Sequence, residues 1–177
     1  MIKKILLIFA ALVAALVVVI ALQPSDFRVT RSAVLPGSPE TVFEHVNDLR
    51  KWEGWSPWAK LDPDSTATFA GPASGTGSSM TWSGNNDVGE GTMTITESKP
   101  GERIEMRLAF VRPFEGVSTT EFTFVPDAGG TLVTWTMSGT NDFVAKAIGL
   151  VMDCDKMVGG EFEKGLENLK KVVPGSR

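Results

Sequence analysis

Apolar and polar side chains alternate strictly through the middle of this chain, and no other feature limits the fold as strongly. In the segment ERIEMRLAFV, residues 102–111, the apolar positions of one parity are Ile104, Met106, Leu108 and Phe110. An extended strand places alternate side chains on opposite faces of a sheet. The segment is therefore predicted to be a strand with one apolar face, while Arg103 and Glu105 lie on the face in water.

The same period of two recurs between about residues 65 and 140. The other apolar residues that share a face within their own strands are Met80 and Trp82, Met93 and Ile95, Phe122 and Phe124, and Val133, Trp135 and Met137. The segments GNNDVGEG, SKPGE, RPFEG and PDAGG separate these runs and have the composition of turns. Because short connections join antiparallel neighbours, we expect an antiparallel meander. With a further strand at 27–35, the sheet would have about six or seven strands.

Helical patterns lie on both sides of the meander. Ser38 is a predicted N-cap for a short helix at 39–47, and a second short helix follows at 48–54. A long amphipathic helix ends before Pro174, and its apolar side carries Met152, Met157, Phe162, Leu166, Leu169 and Val173. The same helix contains Gly159, Gly160 and Gly165. These glycines indicate either close packing against a curved sheet or room for a ligand beneath the helix.

The chain begins with an apolar run that follows Lys3 and Lys4 and extends from Ile5 to Leu22. As a helix this run would be roughly 27 Å long, close to the thickness of the hydrocarbon core of a bilayer. We expect an uncleaved membrane anchor with its N-terminus in the cytoplasm, because the lysines precede the run. A cleaved signal peptide is the alternative, and a buried core helix is the third choice.

These patterns predict the division of the chain. Residues 1–22 are an anchor or signal segment, 23–26 a short linker, 27–173 one α+β domain, and 174–177 a tail. The domain would bury a core of its own, since about 150 residues suffice for one.

Composition excludes several classes of function. The net charge is −4 and there is no basic cluster, so nucleic acid is not an expected partner. Cys154 is the one cysteine and His45 the one histidine, so no intrachain disulfide forms and no metal site or other cofactor is predicted. The oligomeric state stays open.

No catalytic motif appears in the sequence. His45 could serve as a general base only if an acid lay beside it, and a helix surface position is the stronger interpretation. Cys154 lies between two aspartates, which disfavour a thiolate. Arg112 is interpreted as a loop charge, with contact to an acidic ligand head group as the alternative.

The order of elements and three segments carry a resemblance to a known superfamily. The segments are RSAVLPGSPETVFEHVNDLRKWEGWSPW at 31–58, GEGTMTITESKPGERIEM at 89–106 and EFEKGLENLKKV at 161–172. They resemble the START-like, or SRPBCC, superfamily, and specifically its bacterial polyketide cyclase/dehydrase-like branch. The resemblance covers about residues 27–173, and the order of elements is its most specific part.

This resemblance implies a helix-grip fold, in which a curved antiparallel sheet wraps around a long C-terminal helix. It also implies an apolar cavity between sheet and helix, and hence a small apolar, lipid-like or polyketide-like ligand as partner. No catalytic residue is carried over, since the family has no universal catalytic motif. By position, the residues expected to line the cavity are Trp55, Trp58, Met80, Trp82, Met93, Ile95, Met106, Leu108, Phe110, Trp135, Met137, Met157 and Phe162.

The stretch KWEGWSPW concentrates Trp52, Trp55 and Trp58 within seven positions. One interpretation is that these rings fill one end of the core. The other is that they form the mouth of the ligand cavity or a contact with the membrane interface. A split, with Trp52 and Trp55 inside and Trp58 at the rim, combines both.

Three hypotheses for function follow in order of preference. The first is a membrane-anchored binding module for a small apolar ligand. The second is a protein-interaction scaffold with a vestigial cavity. The third is an enzyme of the cyclase or hydratase type, which would need polar groups converging inside the cavity.

Overall fold

The computed structural model describes residues 1–174, so residues 175–177 of the predicted tail lie outside the described residues. The strands are β1 (Asp26–Leu35), β2 (Thr66–Ala70), β3 (Ser79–Ser83), β4 (Glu90–Lys99), β5 (Arg103–Arg112), β6 (Gly116–Asp127) and β7 (Gly130–Thr140). The α-helices are α1 (Ile2–Ala21), α2 (Pro39–Asn47), α3 (Phe143–Gly149) and α4 (Cys154–Val172). Two 3₁₀ helices, Leu49–Gly54 and Pro57–Lys60, follow α2.

All seven strands form one antiparallel sheet in the order β1-β7-β6-β5-β4-β3-β2. The strands from β2 to β7 therefore form a meander, and β1 joins it beside β7. The predicted α+β helix-grip fold with six or seven strands is confirmed. The register of β4 against β5 shifts near Glu90 and again between Ile95 and Glu97, and such irregularities bend a sheet.

The segment between β1 and β2 covers one end of the concave face. Ser38 caps α2, since its Oγ accepts a hydrogen bond from the backbone N–H of Thr41 at 3.4 Å. Val42, Phe43 and Val46 form the buried side of α2. This segment confirms the predicted cap and the helix at 39–47, while the second short helix is 3₁₀ in geometry.

Helix α4 lies across the concave face and contacts β1 and both 3₁₀ helices. Its buried residues are Gly159, Phe162, Gly165, Leu166 and Leu169. A Cβ on Gly165 would lie 2.8 Å from the ring of Trp135, and one on Gly159 would lie 2.0 Å from Nη2 of Arg31. Both positions therefore favour the close-packing interpretation of the helix glycines.

Helix α1 lies outside this core. Its one buried residue is Ile20, near the end that contacts α3. Among residues 1–174, α1 is the one helix long and apolar enough to cross a membrane by length and composition, a property that signal sequences share.

Candidate functional site

The inward-facing side chains of β5 and β7 become more exposed along these two strands. We call the end of the sheet where β1 starts and β7 ends the anchor end, because α1 is attached there, and the opposite end the distal end. In β5, Ile104 and Met106 toward the distal end have no exposed surface, whereas Leu108 and Phe110 toward the anchor end are half-buried. In β7, Trp135 is buried and Met137 is half-buried. The concave face is therefore closed distally, and toward the anchor end it is partly open along β5 and β7, whereas Val29 of β1 and Ser118 of β6 stay buried there.

An aromatic stack fills the closed half. Trp135 lies between Phe122 and Phe162, with ring centroids 4.7 and 4.0 Å away and interplanar angles of 30° and 8°. Trp52 and Trp55 pack edge-on against the same ring, at 6.1 and 5.8 Å. The space between the middle of the sheet and α4 is thus occupied by protein side chains.

The three buried indoles also satisfy their polar atoms. The Nε1 atoms of Trp52 and Trp55 donate to the carbonyl oxygens of Val46 and His45, at 2.9 and 3.2 Å. The Nε1 of Trp135 donates to Oγ1 of Thr120 at 2.9 Å. Since a buried indole N–H without a partner is costly, these bonds fix the rings in place.

The open half presents a set of half-buried apolar side chains that pack against the core, and we call this surface the groove. It is lined by half-buried side chains from β3, β5, β7 and the second 3₁₀ helix, namely Trp58, Met80, Trp82, Leu108, Phe110 and Met137. The rings of Trp82 and Phe110 meet edge-on at 5.9 Å. They meet across Gly91, where a Cβ would lie 2.6 Å from the Trp82 ring. Glycine at this position lets the two aromatic side chains form one continuous wall.

The thirteen residues predicted to line a cavity fall into three groups. Six are buried in the core, namely Trp55, Met93, Ile95, Met106, Trp135 and Phe162. Six are half-buried and line the groove, and Met157 is 53% exposed on α4. The six buried and six half-buried residues lie together between the sheet and the elements that cover it, with the buried ones beneath the half-buried ones. Whether any of them contacts a ligand stays a prediction.

The sequence analysis missed several inward-facing residues of the sheet. Ser118 and Thr120 are buried on the inward side of β6, and Phe27 is half-buried on β1. They have the same parity as residues whose inward position was clear, since Ser118 and Thr120 alternate with the same period as Phe122. Extending that parity through polar residues would have found them.

The groove offers little acid–base chemistry. The Thr120 hydroxyl accepts from Trp135 and donates to the carbonyl oxygen of Thr136 at 3.0 Å. His45 Nδ1 lies 3.0 Å from the carbonyl oxygen of Thr41, in a depression of about 540 Å³ that also includes Arg50 and Val172. That depression is outside the groove. Among residues 1–174, no group of three potential metal ligands comes together.

Charged groups surround the groove at a distance. Arg31, on the inward side of β1, bonds Asp155 Oδ2 at 2.9 Å and Glu163 Oε1 at 2.7 Å on α4. These hydrogen bonds raise the pKa of Arg31, and the bond from Arg31 lowers the pKa of Asp155. Arg112, at the anchor end of β5, pairs with Glu90 at 2.9 Å. The ion pairs tie α4 and the strand ends to the sheet.

On the convex face, Arg103 bonds the carboxylates of Glu97, Glu105 and Glu121. The hydrogen bond to Glu121 is the main cause that raises the pKa of Arg103. This cluster crosslinks β4, β5 and β6 on the side of the sheet away from the groove.

The sheet, the gripped helix and the apolar groove together define a helix-grip protein. Residues 26–174 match the sequence profile of the family described as polyketide cyclase / dehydrase and lipid transport. The chain belongs to this family. No curated protein matches the sequence.

Solved structures of similar fold share little sequence with the chain. Protein CV1439 from Chromobacterium violaceum is 19% identical with a TM-score of 0.59, and the match covers 86% of this chain and all of that one. The Aha1 dimer from Colwellia psychrerythraea is 17% identical with a TM-score of 0.59, covering 83% and 96% of the two chains. DynU16, from the dynemicin biosynthetic locus, is 16% identical with a TM-score of 0.55, covering 81% and 46%. These similarities show the fold alone.

Proposed function

We propose that the chain is a membrane-anchored binding module for a small apolar, lipid-like or polyketide-like ligand. The ligand lies in the groove and α1 holds the domain at the cytoplasmic membrane, with residues 1–22 as anchor, 23–26 as linker and 27–173 as the ligand-binding domain. The N-terminus is cytoplasmic and the domain extracytoplasmic. Release of the domain by signal cleavage is the alternative localisation.

The observation that carries this proposal is the change of burial along β5 and β7. Leu108, Phe110 and Met137 continue the inward parity of fully buried residues, yet each keeps exposed surface. Apolar side chains that are aligned on a concave surface and left partly in water favour an apolar occupant. The family description, which includes lipid transport, supports the same class of ligand.

The test is native mass spectrometry of the full chain, purified in a mild detergent, followed by organic extraction of whatever remains bound. We expect a one-to-one apolar adduct whose mass differs from that of the detergent. Leu108→Gln places an amide in the groove. Since an unpaired buried polar group costs about 1–3 kcal/mol, retention of the adduct should fall about tenfold or more.

Val125→Gln is the matched control, because Val125 lies on the convex side of β6 and is 51% exposed. This variant should keep the adduct. A chain that carries no adduct and takes up nothing from a panel of lipids and polyketides would contradict the binding proposal.

A protein-interaction scaffold is the second candidate, and the filled space around Trp135 favours it. With that ring stacked between Phe122 and Phe162, the ligand has no room beneath the middle of α4. The scaffold hypothesis predicts an apo protein in the mass measurement. An enzyme of the cyclase type ranks third, since Thr120 is engaged in structural hydrogen bonds and His45 lies elsewhere.

A further inference from the structure

We propose that α3 with residues 150–152 and the β5–β6 hairpin form a membrane-contact surface, which seats the open end of the groove on the bilayer. The occupant of this surface is the interfacial region of a phospholipid bilayer. The inference rests on the proposed anchor. It adds to that anchor a defined orientation of the domain and a direct path for an apolar ligand.

The first observation concerns α3 and the three residues after it. None of the residues of α3 is buried, although most of them are apolar. The large apolar side chains that are exposed here are Phe143, Val144, Leu150, Val151 and Met152, with exposed fractions of 49, 52, 40, 85 and 42%. The main packing partner of α3 is α1, and the large apolar side chains named above stay exposed beside it. Contiguous exposed apolar side chains of this kind mark a contact surface.

The second observation is independent and concerns the hairpin between β5 and β6. Val111, Phe114 and Val117 are 50, 62 and 52% exposed. Gly116 pairs with Phe110, and Ser118 pairs with Gly139 near the end of β7. The tip of this hairpin therefore lies at the anchor end of the sheet, the same end as α3.

The third observation fixes where the membrane would be. α1 ends at Ala21 and β1 begins at Asp26, so four residues connect them. Even fully extended, four residues span at most about 14 Å. Contacts also hold this junction against the domain, since α1 contacts α3, Ile20 is buried, and the N–H of Asn141 donates to the carbonyl oxygen of Ser25 at 2.7 Å.

A bilayer that surrounds α1 would therefore face the anchor end of the domain. This end presents three apolar features together: the end of the anchor, α3 with its following residues, and the hairpin tip. A depression of about 550 Å³ between the linker and α3, lined among others by Pro24, Leu150 and Met152, lies at the same end. Apolar side chains inserted to the level of the acyl boundary would be removed from water there.

The charges of this surface indicate hydrophobic insertion and not attraction to anionic lipid. Lys146 is the one basic residue of α3, and Asp142 and Asp153 flank the segment. In the hairpin, Glu115 follows Phe114, and Arg112 pairs with Glu90. The whole chain has a net charge of −4. We therefore expect contact with zwitterionic lipid and little dependence on salt concentration, since screening weakens only charge-driven binding.

The orientation has a consequence for the groove. Leu108, Phe110 and Met137 are half-buried toward the end that meets the bilayer, whereas Met106 and Trp135, farther from that end, are buried. An apolar molecule could then pass between the acyl chains and the groove without crossing bulk water. This orientation adds to the proposed function that the binding module exchanges its ligand directly with the membrane that holds α1.

The test uses the full chain in phosphatidylcholine vesicles, with Cys154→Ser as background so that each variant carries one cysteine. Val144→Cys, Val151→Cys and Phe114→Cys are labelled with an environment-sensitive fluorophore. We expect a blue shift of emission at all three sites, and loss of intensity when nitroxide-labelled lipid is included. Val125→Cys is the matched control, because its exposure of 51% equals that of Val144 within one per cent.

Leu12→Cys, in the middle of α1, distinguishes failure of the proposed membrane anchor from failure of the proposed contact surface. Quenching at Leu12 but not at sites 114, 144 and 151 would overturn the contact surface and leave the anchor standing. Absence of quenching at Leu12 would overturn both. A blue shift at 144 and 151 without lipid quenching would show that a protein, such as a second copy, covers the surface, and would also overturn the proposal.

Discussion

At the scale of single residues, two glycines of α4 show that a glycine can be required by close packing at one position and not at another. Gly165 lies against Trp135 and Pro57, where an added Cβ would come within 2.8 and 3.2 Å of their atoms. Gly160 lies five residues earlier, and an added Cβ there would meet nothing within 4 Å. The same substitution therefore has opposite physical consequences at the two positions.

Gly165→Ala should destabilise the domain by about 1–3 kcal/mol, because the stacked ring of Trp135 cannot yield without strain in the core. Gly160→Ala should stabilise it by about 1 kcal/mol, the difference in helix propensity between the two residues. Chemical denaturation of both variants measures the free energies of unfolding. Equal effects of the two substitutions would contradict the close packing at Gly165.

Asp155 should make stability depend on pH. The hydrogen bond from Arg31 lowers the pKa of this carboxyl below its ordinary value of 3.8, so the folded state favours the ionised form. The resulting stabilisation is present above the ordinary pKa, and it is lost as pH falls through the lowered one. Asp155→Asn should therefore be less stable than the parent at pH 6, and the difference should vanish in strong acid.

Thermal denaturation across this pH range measures the effect. Asp87→Asn provides the control, because Asp87 is exposed in the β3–β4 connection and makes no ion pair within residues 1–174. A pH-independent difference for Asp155→Asn would show that the bond to Arg31 does not stabilise the fold.

At the scale of elements, the segment between β1 and β2 contributes side chains both to the buried core and to the wall of the groove. Trp52 and Trp55 are 6% and 1% exposed and belong to the aromatic core. Trp58 is half-buried, and its ring lies 6.0 Å from Trp135 and 6.4 Å from Phe162. The predicted split of the tryptophan cluster is thus confirmed as far as burial is concerned.

The two kinds of position should respond differently to truncation. Trp55→Ala removes a fully buried ring and should cost about 3–5 kcal/mol of stability. Trp58→Ala should cost about 1–2 kcal/mol, because less apolar area leaves water at that position on folding. The free energies of unfolding check this, and the native mass measurement should show weaker ligand retention for Trp58→Ala. Full retention by that variant would remove Trp58 from the groove wall.

Most elements could be predicted because each has a local signal. Period-two alternation marked β4 to β7, and Ser38 with Pro39 marked the start of α2. The distribution of burial within the concave face had no such signal. Parity shows that Met106 and Leu108 share a face, but only the placement of α4 and the aromatic stack decides that Met106 is covered and Leu108 is not. The sequence therefore predicted most of the apolar inward residues, while their division into core and groove required the three-dimensional packing.

At the scale of the whole molecule, the register of the sheet links the anchor to the open side of the domain. β1 begins four residues after α1 and pairs along its full length with β7, from Asp26 with Thr140 to Leu35 with Thr131. The distal end, where α2 and the end of α4 close the core, is therefore remote from the anchor. The β6–β7 turn at Ala128 belongs to this distal end and is exposed.

The orientation of the chain in the membrane can be tested at that turn. Lys3 and Lys4 lie in the first turn of α1 and precede its apolar run, so the N-terminus should stay in the cytoplasm and the domain should lie outside. Ala128→Cys in a Cys154→Ser background should react with a membrane-impermeant maleimide added to intact spheroplasts. Reaction only after permeabilisation would place the domain in the cytoplasm. The mass of the labelled protein also decides whether α1 is retained, because a full-length chain has a mass of 19.0 kDa and removal of a signal segment would lower it by about 2 kDa.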